Sequence, residues 1–411
     1  MLVMANCNRR LEGLDTGTFF WTDFAQIVRD CWSRLPASTW VLLGQAQAKC
    51  AQVDATETSP EVKRKLQSLY LSMGAQGSVA IEGSSLTVEE VQELAEGRRS
   101  GQPAHRDIEQ EAENVLEALR LVTKDSESPK MPLTTEFICE MHKLIYRDLP
   151  KSEDVVPGET RTRGVRVGNY SAPPAEFCRP LLDEFCEWFE STPDGTSAAL
   201  ASMDAAKFAQ TLMRAIFAHL FLLLIHPFAD GNGRLSRVIE VKILTEGDIP
   251  AMSSHLFSNH YNQTRSHYYE LLHEISFNPE CPSEKFVTYA LEGFVEGLDE
   301  QLTTLQVEHT QMIWESFIQR QFAQKTKPSE LRQRDVALAL LRQSDSVNAR
   351  EIPDLSPELA KAYANKSQKT ITRDLNTLET MGIIQQSASG NTPAKITLNR
   401  NTLRLAQTHS T

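Results

Sequence analysis

The chain has little that could tie it together covalently or fasten it to a polyanion. Its seven cysteines lie singly at 7, 31, 50, 139, 178, 186 and 281. The number is odd and no C-x-x-C pair occurs, so neither a disulfide framework nor a zinc ribbon is indicated, and a reducing, cytoplasmic compartment is expected. There is no excess of positive charge. The 42 Lys and Arg stand against 54 Asp and Glu, a formal net of −12, which argues against a general nucleic-acid coat. The opening residues, MLVMANCNRRLEG, lack the apolar core of a secretory leader. The longest apolar run is broken by His219 and reads as too short to span a bilayer, so no membrane partner is expected. No G-x-x-x-x-G-K-[ST] and no G-x-G-x-x-G occurs, which disfavours P-loop kinases and dinucleotide-dependent dehydrogenases. What remains is the composition of a globular protein, 41% hydrophobic and 23% charged, and 411 residues allow two or three domains.

The charge is unevenly spread. From Pro328 onward 11 Lys and Arg face 8 Asp and Glu, a net of +3, which leaves −15 for residues 1–327. Periodicity is helical through most of the chain. Residues 1–60 carry an aromatic cluster (Phe19, Phe20, Trp21, Phe24) and a predicted helix over Val41–Val53. Glu61–Ile81 reads as a long helix with Leu66, Tyr70 and Met73 on one face, although Gly74 and Gly77 weaken its second half, and Gly83 stands where a left-handed cap is common. Thr87-Val88-Glu89-Glu90 is a capping box that opens a short helix ended by Gly97. Asp107–Leu121 and Thr134–Ile145 are amphipathic, and 183–244 and 253–298 are helical again. One β signal interrupts them, within Pro157–Pro174: a hairpin expected around Gly164, with Val165 and Val167 on one face.

The most informative stretch is His226-Pro227-Phe228-Ala229-Asp230-Gly231-Asn232-Gly233-Arg234-Leu235-Ser236-Arg237. It lies between the apolar run Ala215–Ile225 and the periodic segment Val238–Leu244. Two helices joined by a tight polar loop would set Asn232, Gly233 and Arg234 at a helix start, whose unpaired N–H groups and dipole favour phosphate. Arg234 and Arg237, three apart, would share a face and fork onto phosphate oxygens. Asp230 is a hard oxygen ligand suited to magnesium, which binds through one or two carboxylates plus substrate phosphates. His226 can accept a proton near neutral pH. Taken singly, each fragment is ordinary, since a histidine after a leucine-rich helix is commonly core and Gly-Asn-Gly is commonly a turn. Base, metal ligand and anion cradle within twelve residues point to chemistry on a nucleotide.

The whole string resembles the Fic (filamentation induced by cAMP) signature, HPFx[D/E]GNGRxxR, at every fixed position. The resemblance covers roughly residues 60–300. It implies a mainly α fold, a Fic-type helical core with a β-hairpin flap, and a protein adenylyltransferase that moves AMP from ATP with Mg²⁺ to a Tyr, Ser or Thr hydroxyl and releases pyrophosphate. In that scheme His226 is the base and Asp230 holds the metal. Gly231, Asn232, Gly233, Arg234, Leu235, Ser236 and Arg237 form the phosphate-binding stretch, with Arg237 on the terminal phosphate. The flap, here Gly164, Val165, Arg166, Val167 and Gly168, would hold a target segment by strand addition. Arg161 and Arg163 fit the family's arginine just before the flap. Arg265–Leu272 resembles the family's N-[RK]-x-x-YY-x-x-L stretch, with Thr264 in place of the asparagine; Tyr268 or Tyr269 would wall the adenine. Histidines 255, 260, 267 and 273 crowd this region without metal-ligand spacing. Ser78-Val79-Ala80-Ile81-Glu82-Gly83 matches the family's inhibitory pattern [S/T]-x-x-x-E-[G/N], which implies that Glu82 pairs with Arg237 and keeps it from the γ-phosphate.

From 328 the pattern changes. Leu331–Leu341, Ser356–Ala364 and Ser367–Met381 read as three helices, the third with an Ile371, Leu375 and Leu378 stripe. A two-stranded wing is expected from Ile383–Ile384 and Ala394–Leu398 around the polar turn Ser387–Thr392. This looks like a winged helix-turn-helix, with Lys366, Lys369 and Arg373 at the start of its third helix. The expected organisation is a helical extension (1–60), the Fic core (61–300) with its inhibitory helix near 66–83 and catalytic loop 226–237, a helical linker (301–327) and a winged-helix domain (328–411). Expected partners are ATP and a target protein, the chain itself included. A homodimer, transfer of another nucleotide, AMP removal by the same site, and a nucleotide-sensing regulator that binds DNA through the C-terminal domain stay open.

Overall fold

The structure is a computed structural model. It describes residues 11–15, 17–102, 105–123, 131–150, 153–191, 204–278, 282–343, 346–387 and 395–398. The chain divides into two compact units, residues 1–56 with 60–303, and residues 57–59 with 304–411.

The first unit is built around two antiparallel helices, α8 (Asp204–Ile225) and α9 (Asn232–Glu246). Each is buried nearly all round, which explains why neither shows a clean amphipathic stripe. Helix α3 (Pro60–Ile81), α5 (Arg106–Val122) and α6 (Thr135–Ile145) pack on α9, while α2 (Ala37–Ala55) and α7 (Cys178–Ser191) pack on α8. The aromatic cluster near the start joins this core: Phe24 of α1 (Phe24–Arg34) meets Phe221 with ring centroids 4.6 Å apart. Helix α4 (Val88–Ala95) opens with the capping box at Thr87 and Glu90, both of its hydrogen bonds formed.

Gly74 and Gly77 do not interrupt α3. A Cβ on Gly74 would stand 2.7 Å from the His255 side chain, and one on Gly77 3.1 Å from the Ser258 carbonyl oxygen. These glycines let α3 lie closely against α10 (Leu256–Gln263), a gain that offsets their cost of about 1 kcal/mol each in a helix. Two expectations need correction. Helix α8 is continuous, and its Ala206–Ile225 part is long and apolar enough to cross a membrane by length and composition, with 72% of that window buried inside the fold. The hairpin turn is not at Gly164. Strands β1 (Arg166–Val167) and β2 (Tyr170–Ser171) pair antiparallel around Gly168-Asn169. Gly168 at φ +57° takes the first central position, as in the turns that suit right-twisted strands.

Helices α11 (Arg265–Phe277) and α12 (Ser283–Phe322) complete the unit, the unit boundary falling within α12. Residues 301–322 of the expected linker therefore continue one long helix.

The second unit has its own core. Trp314, Ile318 and Phe322 gather with Val336 and Leu340 of α13 (Pro328–Leu341), Leu359 and Tyr363 of α14 (Pro357–Tyr363), and Ile371, Leu375 and Leu378 of α15 (Gln368–Thr380). Its sheet is three-stranded, not two-stranded. A short β3 (Val347–Asn348) pairs with β5 (Lys395–Leu398), which also pairs with β4 (Ile384–Ser387), all antiparallel. The wholly buried Asp374 accepts from Arg332 Nε (2.7 Å), Gln333 Nε2 (3.0 Å) and the Tyr363 hydroxyl (3.0 Å), tying three helices together. Most of the polar turn 387–392 lies outside the described residues.

Candidate functional site

The junction between α8 and α9 is held by backbone and side chain alike. His226 has φ +47°, a left-handed conformation that costs a non-glycine residue about 1 kcal/mol or more. Its amide still donates to Leu222 O (3.0 Å), and Nδ1 faces Leu223 O at 3.2 Å. With Nδ1 as the donor, Nε2 is left as the free acceptor nitrogen. Burial pushes the imidazole down to about 4, with Arg161 adding to the effect, so the ring is neutral at physiological pH. Phe228 is fully buried and stacks on His142, ring centroids 3.8 Å apart and planes within 7°. Asn232 closes the loop by accepting from Phe228 N (3.0 Å) and donating to Phe228 O (2.9 Å). Gly231, at φ +82°, caps α9 where a Cβ would lie 2.5 Å from the Tyr146 ring.

Helix α9 buries an unusual set of polar groups: Asn232, Arg234, Ser236, Arg237, Glu240 and Lys242 are all under a tenth exposed. Burying charge is costly unless it is paired, and here both arginines are. Arg237, 1% exposed, donates through Nη2 to Glu82 Oε1 (2.7 Å) and to Ser78 O (2.8 Å), and through Nε to Ser78 Oγ (3.0 Å). The Glu82 carboxylate also lies over Gly233, where a Cβ would sit 2.3 Å from Oε1. Arg234 does not share an anion site with Arg237. Its Nη1 donates to Glu111 Oε1 (2.6 Å) and its Nη2 to the Tyr146 hydroxyl (2.9 Å). The expectation that both guanidinium groups converge therefore fails, because α5 supplies a separate carboxylate.

A cavity of about 500 Å³ opens beside this junction. His226, Gly233, Arg237 and Glu82 all line it. Leu220, Leu223, Leu272, Ile275 and Phe277 make its walls apolar, and the hairpin tip Val167–Tyr170 forms one rim. Tyr268 and Tyr269 both line it. Tyr268 is buried, with its hydroxyl 3.0 Å from His219 Nε2, whereas Tyr269 is 43% exposed. Of the flap residues, Val167 and Gly168 reach the cavity, while Gly164 and Val165 precede β1 and Arg166 is exposed on it. Leu235 and Ser236 are core, Ser236 donating to Gly233 O at 2.9 Å.

Asp230 stands outside this buried set, its side chain 65% exposed. Burial pushes its carboxyl up, but the Tyr146 hydroxyl and the Arg234 charge outweigh that and hold it below the usual carboxylate range. Among the described residues no group of three or more His, Cys, Asp and Glu could hold a metal. A single open carboxylate fits a cation whose remaining ligands are substrate phosphates and water.

Sequence reasoning assigned no role to Arg161, yet it clamps the site. Its Nε donates to His226 O (2.8 Å), Nη1 to Arg163 O (2.9 Å) and Nη2 to Pro173 O (2.6 Å). Ser78 was part of a motif, but its two contacts to Arg237 were not foreseen. Glu111, His142 and Tyr146 carried no local signal; a glutamate on a helix and two aromatics one turn apart look like any amphipathic segment. Beneath Tyr268 lies a buried set that went unnoticed. Tyr261 donates to Glu240 Oε1 (3.0 Å), and Glu240 Oε2 is 3.8 Å from His219 Nδ1. Burial holds the Glu240 carboxyl well above and the His219 imidazole well below their usual ranges.

Residues 132–244 match the model of the Fic/DOC family. A relative from Caenorhabditis briggsae named protein adenylyltransferase fic-1 is 26% identical over 242 residues, which are 58% of this chain and 43% of that protein. The chain thus spans less than half the length of the curated relatives it matches. Among solved structures, a Fic family protein from Desulfovibrio desulfuricans G20 superposes with a TM-score of 0.51 at 20% identity, over 87% of this chain and 95% of that one. Fic-1 from C. elegans gives 0.51 at 21%, over 66% and 73%. These two likenesses concern the fold. The matched stretch encloses both hairpin strands and the whole 226–237 loop, and the chain carries a domain of the Fic/DOC family.

Proposed function

We propose that the protein transfers AMP from ATP to a hydroxyl side chain of a target protein, itself included, and that Glu82 restrains this activity. The observation that carries the proposal is the meeting of a neutral histidine, a helix start and a buried arginine in the lining of one mainly apolar cavity. The apolar lining suits a purine, with Tyr269 exposed to stack on it and Tyr268 behind. The first-turn N–H groups of α9 would receive phosphate oxygens. Since the side chains of Asn232 and Arg234 are engaged by protein groups, these residues act on phosphate through their backbone. Arg237 would hold the terminal phosphate once Glu82 leaves it. His226 Nε2 takes the proton from the incoming Tyr, Ser or Thr hydroxyl, whose oxygen attacks the α-phosphorus as pyrophosphate departs. Asp230 would hold Mg²⁺, which neutralises phosphate charge when bound. The target segment would pair with the exposed β1 edge of the hairpin flap, which would present its hydroxyl at the cavity mouth.

In the restrained state the Glu82 carboxylate occupies the arginine and repels phosphate. A chain in this state would bind ATP but transfer AMP slowly. The test is to incubate the Glu82→Gly protein with labelled ATP and cell lysate and to identify labelled bands by mass spectrometry. An absence of labelled protein in any band would overturn the proposal. Removal of AMP, or transfer of a different nucleotide, by the same groups would appear in that assay as loss of label or as a different mass increment.

A second reading concerns residues 328–411. Three helices with an antiparallel sheet, and exposed Lys366, Lys369 and Arg373 at the start of α15, support a winged helix-turn-helix that contacts DNA. A gel shift with DNA upstream of the protein's own coding region tests it, and charge reversal at Lys369 and Arg373 should abolish any shift. We infer a reducing, cytoplasmic setting, which the unbridged thiols of Cys50, Cys139, Cys178 and Cys186 suit.

A further inference from the structure

Resting on the reading of Asp230 as the metal-holding carboxylate, we propose that Glu111, Arg234 and Tyr146 form a relay that orients it. Arg234 is then a positioning residue whose guanidinium serves Asp230 and not the phosphates. The geometry is continuous. Glu111 Oε1 accepts from Arg234 Nη1 (2.6 Å), the Tyr146 hydroxyl accepts from Arg234 Nη2 (2.9 Å), and the same hydroxyl donates to Asp230 Oδ2. Because Arg234 supplies the hydrogen bond that the phenol oxygen accepts, the phenolic proton is committed to Asp230. A cation behind a donor strengthens that donor in turn.

The relay is fixed at every joint. The Arg234 guanidinium lies 5.0 Å from the Tyr146 ring centroid and its side chain is 7% exposed. The Tyr146 ring fills the space that a Gly231 side chain would need. One turn earlier, His142 accepts from Gly158 N at Nδ1 (3.0 Å), which leaves Nε2–H to donate to Asp230 O (3.0 Å). Asp230 Oδ1 accepts from Gly231 N (2.7 Å). Backbone and side chain of Asp230 are thus both set from α6 and α9, while the carboxylate keeps an open side. Groups of this kind around a metal ligand typically change metal affinity by about 10- to 100-fold when removed.

Mn²⁺ is the probe, with α,β-methylene-ATP, in which the bond that AMP transfer breaks is blocked. Free Mn²⁺ is followed by electron paramagnetic resonance on the full-length chain. Tyr146→Phe keeps the ring and removes the hydroxyl. It should weaken Mn²⁺ retention about tenfold or more while nucleotide binding without metal stays unchanged. Glu111→Ala should do the same, and Glu111→Gln, which still accepts from Arg234, should recover part of the loss. If Asp230→Ala releases Mn²⁺ but Tyr146→Phe and Glu111→Ala hold it as the parent does, the relay is refuted and the metal role stands. If Asp230→Ala itself retains Mn²⁺ fully, the metal role fails and the relay with it.

Discussion

Replacing Glu82 by glycine is the sharpest perturbation of this site. The Glu82–Arg237 bond is 2.7 Å long, with one partner buried and the other side chain 34% exposed. A hydrogen bond to a charged group contributes about 1.5–3 kcal/mol, and exposure of the carboxylate to solvent brings this to roughly 1–2 kcal/mol. At 1.4 kcal/mol per factor of ten, freeing Arg237 should raise AMP transfer about 5- to 30-fold. The glycine also adds backbone freedom just beyond α3, at a cost of roughly 0.5–1 kcal/mol. Glu82→Gln serves as the control, since it removes charge and leaves the backbone alone. The assay is self-labelling with radioactive ATP, run side by side for wild type, Glu82→Gly, Glu82→Gln and Glu82→Gly with Arg237→Ala. The last should forfeit the gain, because the group that was freed is missing. A Glu82→Gly rate equal to wild type, or a gain that survives loss of Arg237, would refute the reasoning.

His226→Ala should lose transfer by on the order of 10²-fold or more with ATP still bound, and a wild-type single-turnover rate would remove the histidine from the mechanism. With its pKa depressed to about 4, the His226 ring should stay neutral as pH falls from 8 to 5 and gain its proton only near 4. Its Cε1–H resonance, assigned by comparison with the alanine variant, reports this directly, and an inflection near 6.5 would contradict it. Gly233→Ala should destabilise the wild type, because the new methyl meets Glu82 Oε1. In the Glu82→Gly background the same change should be neutral or stabilising by about 1 kcal/mol from helix propensity; thermal melts of the four proteins test the change of sign. Asp374→Ala should cost the second unit about 3 kcal/mol or more, since it leaves Arg332 buried without its carboxylate. Hydrogen exchange of α13 and α15 amides would register the loss, and unchanged protection would show the Asp374 contacts to be dispensable.

What could be read in the sequence was whatever chemistry is written in consecutive residues. The 226–237 loop, the Thr87 capping box and the Ser78–Gly83 segment are of that kind. Contacts made by single residues from distant helices were not legible. Glu111 meets Arg234 across 123 positions, and nothing in α5 distinguishes it from its neighbouring glutamates until the fold exists. The hairpin was placed too early because Gly164 drew attention, although Gly168-Asn169 is the pair with turn chemistry. Strand β3 escaped because two residues cannot show a period of two. Gly74 and Gly77 misled for a physical reason. In sequence they are weak helix formers, and only the closeness of His255 and Ser258 reveals them as spacers.

Arg161 makes the proposed base and the hairpin a single mechanical part. One guanidinium grips the carbonyl of His226 and, through two other N–H groups, the carbonyls of Arg163 and Pro173 on either side of the hairpin. A segment that pairs with β1 in a poor register would pull on these anchors and so move the imidazole away from the nucleotide. Fidelity would then be enforced at the chemical step: an ill-fitting partner could dwell on the hairpin and still leave unmodified.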